Sequence, residues 1–111
     1  MYGLFGRGAV RDLTAEEVAN GIAAGEIVLV DVREPNETAL ERIPGAVLLP
    51  LSTFDPADLP DPSGRTLVFS CASGIRSIKA CEIARSAGLP YDAHLAGGLK
   101  AWKAAGYPTE S

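Results

Sequence analysis

The chain has 111 residues, 47% of them hydrophobic and 22% charged, with a net charge of −4. That suffices for one hydrophobic core but not two, in an ordinary soluble globular mix. The ten Lys and Arg form no basic stripe, which argues against nucleic acid or a membrane surface as a partner, and no apolar run nears the roughly 20 residues that span a bilayer.

Residues 1–12 read as a loose N-terminal segment rich in Gly and Arg. They lack the long apolar stretch of a signal peptide, so the expected compartment is the cytoplasm. A single domain is expected over residues 13–108, followed by a tail at 109–111. Thr14 and Glu17 have the spacing of a capping box, flanked by Leu13 and Val18 as a hydrophobic staple. The first helix is therefore expected over residues 15–24, with Gly25 as its stop signal. Ile27-Val28-Leu29-Val30 is a continuous apolar run, as in a strand buried on both faces, and it leads into Asp31-Val32-Arg33. A short helix is expected over residues 36–42, broken by Ile43-Pro44-Gly45. Residues 46–49 form a second short strand. The proline-rich stretch from 50 to 65 is a surface connection with one helical turn.

Thr66 to Ser70 is the third apolar strand. A tight loop, Cys71-Ala72-Ser73-Gly74-Ile75-Arg76, separates it from a helix over residues 77–87. Tyr91-Asp92-Ala93-His94-Leu95 alternates enough to suggest an edge strand. Gly97-Gly98 marks a turn, and a last helix over 99–105 carries Trp102. Strands alternating with helices imply an α/β fold, a small and mainly parallel sheet with helices on both faces. Ligands in such folds bind at the carboxyl ends of the strands. Two of those ends carry polar groups here, at Asp31 and Arg33 and at Cys71.

The Cys71 loop has the chemistry of a nucleophile site. Its small residues leave backbone amides uncovered, and Gly74 can take dihedrals closed to other residues. Successive N–H groups can then form an anion-binding concavity, strengthened by the following helix N-terminus. Arg76 adds a full positive charge. A thiol in that setting has a lowered pKa and reacts as thiolate. Cys81 lies among apolar helix neighbours and reads as core packing. His94 reads as a strand residue rather than a catalytic base. Two Cys and one His give no disulfide framework and no metal constellation, so two free thiols, no metal and no cofactor are expected.

Four segments in order resemble the rhodanese-like domain family of single-domain sulfurtransferases. They are Asp31-Val32-Arg33-Glu34; Arg42-Ile43-Pro44-Gly45-Ala46 with Leu49-Pro50; Cys71 to Ser77; and Leu95-Ala96-Gly97-Gly98-Leu99 with Trp102. In the second, the family usually has His where this chain has Arg42. The resemblance implies the three-layer rhodanese-like fold and a Cys71 persulfide that carries sulfane sulfur from a donor such as thiosulfate. The acceptor would be cyanide, a small thiol or an acceptor protein. It also implies an anion-binding loop of Ala72, Ser73, Gly74, Ile75, Arg76 and Ser77, with Asp31 and Arg33 as supports. Efficient thiosulfate enzymes of the family often carry extra positive charge in the loop, whereas Ala72 and Ser73 are neutral, so modest thiosulfate activity is expected. Two other functions are open: a non-catalytic binding or regulatory module on the same fold, and a Cys-dependent phosphatase or arsenate reductase. Related tyrosine phosphatases have five residues between Cys and Arg, and here there are four, a ring better sized for sulfur than for a phosphoryl group.

Overall fold

The structure, a computed structural model, describes residues 10–111. Its elements in chain order are β1 (Arg11–Leu13), α1 (Ala15–Ala23), β2 (Ile27–Asp31), α2 (Pro35–Thr38), β3 (Val47–Leu48), β4 (Thr66–Ser70), α3 (Arg76–Ser86), β5 (Ala93–Leu95) and α4 (Gly98–Ala104), with two 3-10 turns between β3 and β4. The strands form one sheet in the order β1-β5-β4-β2-β3, and every neighbouring pair is parallel.

The apolar runs of β2 and β4 make them the centre of the sheet. Their side chains alternate between its faces. Val28, Val30, Leu67 and Phe69 pack with Ala80, Cys81 and Ala84 of α3. Leu29, Val68, Ala93 and Leu95 pack with Ala15 and Val18 of α1 and Leu99 and Trp102 of α4. Burial on both faces is what a parallel sheet requires, and it explains why these strands show no polar alternation. The capping box starts α1 as expected: the Glu17 N–H donates to Thr14 Oγ1 at 3.1 Å, and the Thr14 N–H donates to Glu17 Oε1 at 2.9 Å.

Four local expectations change. Of the loose segment expected over residues 1–12, the first nine lie outside the described residues, but Arg11–Leu13 form β1. Consequently β5 is not an edge strand. It lies between β1 and β4, and all three of its residues are buried. The helix expected over 36–42 is the shorter α2, which begins at Pro35 and gives way to a looser turn after Thr38. The expected tail at 109–111 is also tied in. Glu110 pairs its backbone with Arg42 in both directions, at 2.8 and 2.9 Å, and the Thr109 hydroxyl donates to Glu41 at 2.8 Å. No helix among the described residues is long and apolar enough to cross a membrane.

The topology places the site. After β2 the chain turns outward to β3 on one side. After β4 it turns through α3 to β5 on the other. The adjacent carboxyl ends of β2 and β4 therefore flank a topological switch point, where open α/β sheets form clefts. Asp31 stands opposite Ser70 there, one residue before Cys71.

Candidate active site

Cys71 leaves β4 into a loop held from beneath by the start of α4. The Leu99 N–H donates to the Cys71 carbonyl at 2.8 Å, and the Lys100 N–H donates to that of Ala72 at 3.0 Å. These are unpaired first-turn amides of α4, used to fix the loop rather than to meet solvent. The approach is so close that a Cβ at Gly98 would collide with the Cys71 carbonyl oxygen and the Ala72 backbone. Gly98 also sits at φ +58°. Gly74, at φ +99°, packs against the Gly97 amide. The Gly97-Gly98 pair is thus the platform of the loop, beyond the turn that the sequence suggested.

This clamp folds the loop amides around sulfur. The Gly74 N–H lies 3.1 Å from Cys71 Sγ, the Ser77 N–H 3.3 Å, and Ser77 Oγ 3.6 Å. Cys71 is 1% exposed. Burial pushes its thiol pKa up, but the Ser77 hydroxyl and the amides of Ser77, Gly74 and Ser73 favour the thiolate more strongly. The net effect is a pKa below the ordinary thiol value. Cys81 shows burial without such donors: its thiol is pushed up to about 12, chiefly by desolvation. The two buried thiols thus differ in the hydrogen-bond donors around them.

Arg76, expected as the last residue of the loop, is instead the first residue of α3, and it is engaged. Its two terminal nitrogens donate to the Glu37 carboxylate at 2.7 and 2.9 Å. The pairing lowers the Glu37 pKa to about 2 and raises that of Arg76. Glu37 also accepts the Glu34 N–H at 3.0 Å, so the group that caps α2 also ties it to α3. Sequence reasoning missed Glu37. Its signal was the position third in a helix that begins with Pro35.

Asp31 and Arg33 form a buried ion pair, with guanidinium nitrogens 2.9 to 3.2 Å from the carboxylate. Arg33 also donates to the Glu41 carbonyl at 2.7 Å. The pair braces the β2 end; Asp31 bears electrostatically on Arg76, and Arg33 on Glu37. Ser73 and Ile75 are exposed at the loop surface and Ala72 is half-buried. A surface pocket beside them is lined by Ala72, Ser73, Leu99, Lys100 and Lys103. His94 lies in β5 as expected, yet its ring reaches Ser77 Oγ, a contact that the sequence did not suggest. Among the described residues, no group of three or more His, Cys, Asp or Glu is gathered as metal ligands.

The arrangement is a buried thiol, its pKa held below the ordinary value, in an amide cradle at a sheet's switch point, suited to nucleophilic attack and to holding a bound anion. Known proteins resemble this chain in sequence and in fold. The chain is 34% identical to a sulfurtransferase of Allochromatium vinosum over 100 residues, covering 89% of this chain and 94% of that one. It is 51% identical over 83 residues to an uncharacterised Synechocystis protein, covering 75% of this chain and 46% of the relative, so it spans about half of that protein's length. It spans 24% of a probable adenylyltransferase/sulfurtransferase of Mycobacterium tuberculosis.

A rhodanese-related protein of Thermoplasma volcanium superposes with a TM-score of 0.77 at 27% identity, over 90% of this chain and 97% of that one. A Rhodopseudomonas palustris protein of unknown function, described as a "possible tyrosine phosphatase", superposes with a TM-score of 0.76 at 30% identity, over 99% of both chains. The family model for the rhodanese-like domain matches residues 14–105. On this match and these relatives, the chain belongs to the rhodanese-like domain family.

Proposed function

We propose that this chain is a sulfurtransferase that carries sulfane sulfur as a persulfide on Cys71. The observation that carries the reading is the cradle: two backbone N–H groups, of Gly74 and Ser77, aimed at one buried Sγ. In the first step the thiolate attacks the outer sulfur of a donor such as thiosulfate. The donor's S–S bond breaks, and sulfite leaves with the bonding pair. In the second step a thiol or cyanide attacks the terminal sulfur, and the pair returns to Cys71 as thiolate. The same amides serve Sγ as thiolate and the persulfide anion that replaces it.

Anion binding by Arg76 is moderated by Glu37, which occupies two of its five donors. Lys100, in the pocket beside Ala72 and Ser73, brings positive charge to the side of the loop that lacks it, while Lys103 in the same pocket is paired with Glu41 at 2.8 Å. The phosphatase reading has the palustris relative in its favour. Against it stand the four-residue spacing and the cradle amides already directed at sulfur. A purely non-catalytic module would have no use for a thiol held below its ordinary pKa.

Thiocyanate formation from thiosulfate and cyanide tests the proposal. Covalent two-step transfer predicts parallel double-reciprocal lines and no turnover by Cys71→Ala. Turnover that survives this substitution, or Cys71-dependent hydrolysis of an aryl phosphate without sulfur transfer, would overturn it.

A further inference from the structure

The sequence treats His94 as one more strand residue, but the fold links it to Cys71 through a continuous line of polar atoms. Parallel pairing of β1 and β5 sets Asp12 directly beside His94. His94 Nε2 lies 2.7 Å from Asp12 Oδ1, and Nδ1 lies 2.7 Å from Ser77 Oγ. Ser77 Oγ in turn lies 3.6 Å from Cys71 Sγ. His94 and Ser77 are buried, whereas Asp12 is largely exposed.

Donor and acceptor rules fix the direction of this line. An ionised carboxylate only accepts, so Nε2 carries a hydrogen toward Asp12. In the neutral ring Nδ1 is then the acceptor, and the Ser77 hydroxyl donates to it. The free lone pairs of Ser77 face Cys71 and accept its S–H. Every hydrogen thus points from sulfur toward the imidazole, the arrangement that lets a proton pass along the line.

We propose that Asp12, His94 and Ser77 form a proton relay that removes the thiol proton of Cys71. This rests on Cys71 being the nucleophile. The S–H bond breaks as Ser77 Oγ takes that proton, and Ser77 passes its own proton to His94 Nδ1. Serine ends as a hydroxyl turned toward Sγ. Cysteine ends as a thiolate with a third donor beside the amides of Gly74 and Ser77. The ring ends as an imidazolium held by Asp12. No proton is gained or lost overall. In this step thiolate and imidazolium form together, as a coupled pair. Asp12 and His94 act through Ser77 and are positioning residues, whereas Ser77 meets the reacting sulfur itself.

The charged groups around the line come from several elements. Asp12 of β1 faces the ring. Arg76 of α3 bears on Cys71, and Glu37 of α2 is paired with Arg76. The last two are unchanged by substitution of His94, so a shift in that variant reports the relay.

The test is the pH dependence of Cys71 alkylation by iodoacetamide, a probe independent of sulfur transfer. His94→Asn and Ser77→Ala should each raise the midpoint and slow alkylation at pH 7 by roughly tenfold or more, as a shift of about one unit requires. Asp12→Asn should raise it less, and Ser77→Thr, which keeps the hydroxyl, should restore it. Far above the midpoint all variants should alkylate at the same rate, which reports an intact pocket. Cys71→Ala should not react, because Cys81 is buried and its pKa is raised. Midpoints unchanged in His94→Asn and Asp12→Asn would overturn the relay while leaving persulfide formation standing. Shifted midpoints without any persulfide from a sulfane donor would uphold the relay and sink the sulfurtransferase reading instead.

Discussion

Glu37 shows how one side chain sets the charge beside Cys71. Without it, Arg76 would present a bare cation to the loop. With it, the guanidinium is held in a fork and part of its charge is neutralised locally. Because the Arg76 bond holds the folded carboxyl at about 2, below its ordinary 4.5, protonation favours the unfolded chain. The stabilisation is complete above about pH 4.5 and is lost as pH falls toward 2. Glu37→Gln should therefore unfold less steeply across that window. Near neutrality it should cost on the order of 1 kcal/mol, a modest figure because the pair is partly solvated. Urea titrations of both proteins at several pH values check this, and identical slopes against pH would contradict it.

At the scale of elements, the decisive contact is between the start of α4 and the Cys71 loop. Two helix amides hold two loop carbonyls, and Gly98 permits the approach. Gly98→Ala should combine left-handed strain of about 1–2 kcal/mol with a backbone collision. It should cut sulfur transfer by more than tenfold while circular dichroism still reports a folded chain. Gly88, at φ +81° past α3, is the matched control, because nothing lies within 4 Å of a Cβ built there. Gly88→Ala should carry the strain alone and transfer sulfur normally. Equal activity in the two variants would show that the clamp does not shape the site.

Elements became legible in proportion to how local their signals were. β2 and β4 announce themselves as apolar runs, α1 by its capping box, and the Cys71 cradle by its small residues. β1 is a three-residue strand with two exposed residues and has no apolar run to read. Missing it made β5 look like an edge. The Glu37–Arg76 and Asp12–His94 contacts join residues 39 and 82 positions apart, and only the strand order brings them together.

At the scale of the whole molecule, the parallel sheet explains why the chemistry sits where it does. The strand order sends the chain in opposite directions after β2 and β4, the point at which open α/β sheets bind ligands. The braced Asp31–Arg33 pair closes one strand end, and the cradled Cys71 closes the other. In the proposed function this sulfur carries another sulfur, and intact-protein mass spectrometry after exposure to thiosulfate reads that directly. The expected result is a gain of one sulfur atom mapped to Cys71, removed by cyanide and absent from Cys71→Ala. An unmodified Cys71 with every sulfane donor tried, in a protein whose Cys71 still alkylates, would contradict it.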